Sequence, residues 1–125
     1  MKSVAHTYAE KALHSIRQIE SSSSAKEYGR LCQLFPSMLL VNGLRLTVAF
    51  FRSKASNDQP SNHERYLSDM GAALGISNWE NELSSHGMTM TEYRNLSQRA
   101  LKAAVWFKRY AEAILRVEAS DSMDA

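Results

Sequence analysis

Apolar residues recur along most of this chain at three- and four-residue intervals, the spacing of one helix face. No run shows the sustained two-residue alternation of a half-buried strand. In the first segment Ala5, Ala9, Ala12, Ile16 and Ile19 form a stripe, with Val4, Tyr8 and Leu13 beside it. The serine run at 21–24 interrupts the stripe and reads as a short polar linker. Ser24 and Glu27 stand at capping-box spacing and predict a second helix, buried through Tyr28, Leu31, Cys32 and Phe35. Pro36 is expected to stop that helix and open the next, because it lacks the N–H that would be unpaired there. The apolar residues 38–41 follow, and Asn42-Gly43 reads as a bend between helices. Residues 44–54 are again apolar at helical spacing, and 55–60 form a polar loop.

A second capping box, Ser61 to Glu64, opens a helix carrying Tyr66, Leu67, Met70 and Leu74, closed by Gly75. A short segment at 79–83 is capped by Ser77 or Asn78 and ended by Gly87. The clearest element runs from about residue 91 to 117 without Gly or Pro, capped by Thr89 or Thr91. Tyr93, Ala100, Phe107 and Ile114 repeat every seven residues, as do Leu96, Ala103, Tyr110 and Val117. Ala104 and Ala111 widen this seam. The pattern predicts an all-α fold: a compact bundle of five to six helices over residues 1–117, with a long C-terminal helix. Residues 118–125 read as an acidic, flexible tail.

Composition adds exclusions. The chain has 125 residues and 44% hydrophobic positions, enough for one domain with its own core. No apolar run approaches the roughly 18 residues of a membrane span, and the first eight residues lack the apolar stretch of a secretory signal. One cysteine, Cys32, precludes an internal disulfide, so a reducing, cytoplasmic setting is expected. The formal net charge is only +2, but it is unevenly spread. Residues 1–54 carry eight basic and three acidic side chains, 55–91 carry one and five, and 92–117 carry six and two. Two basic segments flanking an acidic middle suit contact with a polyanion on one face.

Candidate chemistry is sparse. His6, Glu10 and His14 share a helix face, but the His-Glu-x-x-His pattern and a further ligand are missing. A solvated polar stripe is the stronger reading, and no metal or other cofactor is expected. His63 and His86 sit alone in polar surroundings. Cys32, amid Leu31, Leu34 and Phe35, reads as a buried structural thiol. No phosphate loop, nucleophile elbow or Glu-x-x-His pair points to an enzyme or a small-molecule substrate. Residues 70–77 resemble the turn of a DNA-binding helix-turn-helix. The helix that would follow offers Glu80 and Glu82 and no cation, and it puts Asn81 where an apolar residue should pack.

The cations are more informative. Lys102, Arg109 and Arg116 recur every seven residues away from the apolar seam, with Arg94 and Lys108 alongside and Leu101, Trp106 and Leu115 interleaved. Arg45, Arg52 and Lys54 form a second group, with no acid between Glu27 and Asp58. Such surfaces suit contact with phosphates and with protein.

Two segments together resemble one family. Tyr28-Gly29-x-Leu31, then Leu34-Phe35-Pro36, Leu40-Val41-Asn42-Gly43-Leu44 and Ala49-Phe50-Phe51, are similar to the central signature of the small subunit of the Cmr complex. That complex is the type III-B CRISPR RNA-targeting effector. Tyr93-Arg94, Ala100-Leu101 and Trp106-Phe107-Lys108-Arg109-Tyr110-Ala111 resemble the same family's C-terminal helix, in the same order. The likeness covers about residues 5–117, with 55–90 matching only as a helical segment. It implies a helical bundle without catalytic activity, stacked in several copies beside the backbone subunits that hold the guide RNA. The implied partners are the backbone and large subunits, further copies of this chain, and guide and target RNA. By motif position RNA contact is carried onto Lys108 and Arg109. Arg45, Arg52, Lys54, Lys102 and Arg116 are added on charge. Tyr28, Pro36, Asn42, Gly43 and Trp106 are assigned to fold and bends. A free-standing DNA-binding regulator and a protein-only adaptor are the alternatives.

Overall fold

The computed structural model describes residues 3–54, 61–84 and 88–118. The elements are α1 (Val4–Ile19), α2 (Ala25–Asn42), α3 (Leu44–Ser53), α4 (Asn62–Leu74), α5 (Trp79–Leu83) and α6 (Met90–Tyr110), followed by a π-helical turn at Ala111–Leu115. Among the described residues there is no strand, and the fold is the expected all-α bundle with a long C-terminal helix. Helices α4 and α6 pack against each other and each against α1 and α2 around one core, with α3 against α2 and α4.

Four of the six described helices, α1, α4, α5 and α6, start on a side-chain cap. Ser3 accepts the His6 N–H at 3.1 Å, and Thr89 accepts that of Glu92 at 3.0 Å. The predicted capping box of α4 is complete in both directions between Ser61 and Glu64. Of the two residues offered as the cap of α5, Asn78 serves, accepting the Asn81 N–H at 2.9 Å. Tyr8, Ala12, Ile16 and Ile19 are the buried stripe of α1, joined by Ser15. Ala5 and Val4, in the first turn, stay exposed.

The centre is aromatic. Phe35, Phe51 and Phe107 lie with ring centroids 5.2, 5.6 and 5.5 Å from Tyr66, so one ring cluster joins α2, α3, α4 and α6. All four are fully buried, and such pairs contribute about 0.5–1.5 kcal/mol each beyond area burial. At the edge of the cluster the Tyr28 hydroxyl donates to Asp69 Oδ2 at 2.6 Å. Desolvation pushes the Asp69 carboxyl above its usual range, partly countered by the Tyr28 hydrogen bond.

Several expectations need correction. Helix α2 does not stop at Pro36 but runs through it to Asn42. A mid-helix proline costs about 3 kcal/mol. Burial of Phe35, Pro36 and Leu39 on the same helix offsets it, at roughly 1.5–3 kcal/mol for a fully buried large apolar side chain. Ser24 makes no capping box, because its own backbone is already helical. The serine linker is instead a hydrogen-bonded turn, with Ser22 Oγ donating to the Ile19 carbonyl at 3.0 Å and accepting the Ser24 N–H at 3.2 Å.

The last helix is α-helical only to Tyr110; the π turn follows, and Arg116 then adopts the left-handed conformation at φ 59°. This shift of register breaks the seven-residue repeat. It directs Val117 onto α2 at Gly29, where an added Cβ would lie 2.6 Å from Val117 Cγ1. Gly29 is thus the gap that admits the chain's return. The bend at Asn42-Gly43 is present, and Gly43 at φ 84°, ψ 166° occupies a region open to glycine alone. The polar loop at 55–60, the proposed stop at Gly87 and the tail beyond residue 118 lie outside the described residues.

Candidate nucleic-acid interface

The cations of α3 are turned back onto the protein. Arg45 donates its backbone N–H to the Tyr93 hydroxyl at 3.0 Å and its Nε to the Leu83 carbonyl at 3.3 Å. Its guanidinium carbon sits 4.2 Å from the Tyr93 ring centroid. Arg52 Nη2 pairs with Glu80 Oε2 at 3.1 Å, and Lys54 Nζ lies 5.1 Å from the Phe50 ring. Together Arg45 and Arg52 tie α3 to α5 and to the start of α6. All three remain exposed.

On α6, Lys102 and Arg109 face outward. At about 100° per residue, Lys102 and Arg109 fall within about 20° of one line, opposite the buried row of Leu96, Ala100, Ala103 and Phe107. Arg94 stands exposed on the same outer arc. Among the described residues neither Lys102 nor Arg109 pairs with a carboxylate. The Arg109 guanidinium carbon lies 5.3 Å from the centroid of Trp106, which stacks on Tyr110 at 6.1 Å. Lys108 is half-buried and sits about 100° around the helix from Arg109, so the two do not share a face. Arg116 is exposed, but the π turn takes it off the Lys102–Arg109 line.

The remaining candidates have structural explanations. His6 Nε2 is 2.6 Å from Glu10 Oε1 on an exposed face, and no group of three or more His, Cys, Asp or Glu converges among the described residues. Cys32 is fully buried, and burial pushes its thiol well above the ordinary value, the opposite of an activated nucleophile. His63 is not in polar surroundings. It is only 7% exposed, packed against Phe51 at 5.2 Å and Phe50 at 6.3 Å, and desolvation lowers its pKa. Its Nε2 has no hydrogen-bond partner among the described residues. His86 lies outside them.

The helix-turn-helix lookalike is a packing device. Gly75 closes α4 in the left-handed conformation, and Trp79 Nε1 then donates to the Leu67 carbonyl at 2.7 Å, docking α5 on α4. Helix α5 has only five residues, about 7.5 Å, with Glu80 already engaged by Arg52 and Glu82 exposed. That is short and acidic for a groove-reading helix. Sequence spacing also missed Arg99, whose Nε donates to the Tyr8 hydroxyl at 3.2 Å and whose Nη2 donates to the Leu74 carbonyl at 2.8 Å. It joins α1, α4 and α6 through contacts that no local pattern announces. No helix among the described residues is long and apolar enough to cross a membrane.

Among the described residues the chain is a bundle of six α-helices with an outward basic line on α6, the architecture of a small all-helical protein. The particular family follows from comparison. Residues 4–114 match the family described as CRISPR-associated protein (Cas_Cmr5), and the chain belongs to it. It is 25% identical over 116 residues to the CRISPR system Cmr subunit Cmr5 of Thermus thermophilus, covering 92% of this chain and 98% of that one. The crystal structure of a CRISPR-associated Cmr5 family protein from Thermus thermophilus superposes with a TM-score of 0.81 at 25% identity. That match spans 92% of this chain and 99% of the other.

Proposed function

We propose that this protein is a non-catalytic subunit of a type III-B Cmr complex, the RNA-guided RNA-targeting machinery of CRISPR antiviral defence. In this reading it works in the cytoplasm, stacks in copies beside the backbone subunits near the large subunit, and helps hold guide and target RNA. The observation that carries the reading is the family match across residues 4–114, with a relative of nearly the same length that is itself a Cmr subunit. The outward line of Lys102 and Arg109 supports RNA contact through phosphates, insensitive to sequence and weakened by salt. Lys108, Arg116 and the α3 cations Arg45, Arg52 and Lys54 contribute general field around it.

The test is a pull-down of the tagged chain from its native cell, with proteins and RNA identified. Co-purification of a ladder of CRISPR backbone subunits with short guide RNAs is the expected result. Recovery of the chain alone, or with promoter DNA, overturns the reading. Within the assembled complex, Lys108→Glu with Arg109→Glu is expected to weaken target-RNA binding while the chain stays folded. Unchanged affinity in that variant removes the motif-based RNA contact.

A further inference from the structure

Beside the basic line, α1 and α6 leave an open groove of about 310 Å³ walled by Val4, Ala5, Tyr8, Val105 and Trp106, with Lys102 at its edge. It lies at the low end of the volumes typical of small-ligand sites, suited to one planar ring rather than a docked helix. Val4 is 62% exposed and Trp106 half-buried, so apolar surface is open to solvent here. The Tyr8 hydroxyl is held from behind by Arg99, which fixes the ring as part of the groove's floor. Among the described residues Lys102 is the only ionisable side chain of the lining besides the phenol of Tyr8, and Arg109 approaches the same Trp106 ring.

We propose that this groove is a stacking slot for one unpaired base of single-stranded RNA, with Lys102 and Arg109 holding the phosphates on either side of it. The inference rests on the RNA-contacting reading above and adds a base site to it. Charge complementarity selects the occupant. A base arrives attached to anions, which meet the two cations, whereas a purely apolar side chain from a protein would leave Lys102 and Arg109 unmatched at the rim. Trp106 supplies the aromatic surface, and stacking of this kind is tolerant of base identity because every base has a π-face. The slot therefore gives grip without sequence preference.

The experiment measures fluorescence anisotropy of a labelled oligouridylate on the purified full chain at about 50 mM salt, beside the same oligonucleotide with abasic residues. Removing the bases is expected to weaken binding about five- to a hundredfold, and Trp106→Ala is expected to weaken the oligouridylate by a similar factor and the abasic strand by much less. Trp106→Phe keeps an aromatic face and is expected to recover most of the loss. Equal binding of normal and abasic strands, or equal losses on both strands in Trp106→Ala, overturns the stacking slot and leaves the phosphate reading standing. Absence of binding to either strand by the wild-type chain overturns the stacking slot, while the phosphate reading stands or falls on the assembled complex. Loss of a co-purifying protein subunit in Trp106→Ala, with RNA affinity intact, assigns the groove to protein docking and also overturns the proposal.

Discussion

Helices α3 and α6 carry the same kinds of cation at comparable density, and the fold treats Arg45 and Arg52 on the first and Lys102 and Arg109 on the second in opposite ways. On α3, Arg45 and Arg52 reach across to the Leu83 carbonyl and the Glu80 carboxylate, so both cations are engaged by the acidic segment that follows them. On α6, Lys102 and Arg109 point away from the buried seam, and the nearest feature is an aromatic groove. The difference comes from what lies opposite each helix. Helix α5 packs over α3, whereas nothing described covers the outer arc of α6. A count of cations along a chain therefore overstates the surface available to a polyanion. The excess that matters is what remains after internal partners are assigned.

The largest effect is expected where the comparison predicts accessible charge. Lys102→Glu with Arg109→Glu should reduce the affinity of the assembled complex for target RNA by about tenfold or more. It should also shrink the slope of log affinity against log salt by roughly 0.7 for each phosphate that is no longer neutralised, at unchanged thermal midpoint. A salt titration of wild-type and variant complexes reads both quantities. An unchanged slope would break the distinction between the two helices.

Next in size is Arg45→Ala, which should act on stability rather than RNA. It removes one charge-assisted hydrogen bond and a cation–π interaction from an exposed position. The expected loss is about 1 kcal/mol, a drop of roughly 4 °C in Tm by calorimetry, with RNA affinity nearly unchanged.

A third prediction concerns His63, which packs under α3 against Phe50 and Phe51. Burial lowers its pKa in the folded chain, with Glu27 acting to raise it and Lys54 to lower it, while the unfolded chain keeps a value near 6.5. The unfolded state therefore takes up the proton first. The contribution of neutral His63 is complete above about pH 6.5 and is lost as pH falls toward the folded value. Asp69 acts in the opposite sense, because its raised carboxyl binds a proton in the folded chain before it does so in the unfolded one. Thermal midpoints between about pH 5 and 7.5 should fall on acidification in the wild type and flatten in His63→Phe.

The smallest effect belongs to Arg52→Gln. Its partner Glu80 is 67% exposed, and exposed pairs of this kind contribute about 0–1 kcal/mol. Stability by urea denaturation should change by less than about 0.5 kcal/mol. A large fall in RNA affinity in this variant would show that the α3 cluster also serves the polyanion, and the contrast with α6 would narrow.

Much of this molecule was legible from spacing alone. The all-helical class, the Ser61–Glu64 cap, the bend at Gly43, the buried Tyr28, Leu31, Cys32 and Phe35, and the outward position of Lys102 and Arg109 all follow from local periodicity and end chemistry. These are short-range properties, and a residue's neighbours three and four positions away suffice to set them. What escaped was decided by partners distant in sequence. Pro36 stays inside α2 because its neighbours bury their side chains on other helices. The π turn after Tyr110 brings Val117 to Gly29, and no heptad count anticipates it. His63 looks polar in sequence and is enclosed by two phenylalanines from α3.

The basic face divides along the same line. Residue types and their seven-residue spacing determined that α6 would carry a basic flank, because the helix period alone sorts side chains by direction. Only the tertiary structure decided that Arg45 and Arg52 are engaged, and that Trp106 opens onto a groove with α1. Each of those outcomes depends on which element packs opposite, and packing partners are chosen by the burial of the whole core rather than by any local run of residues.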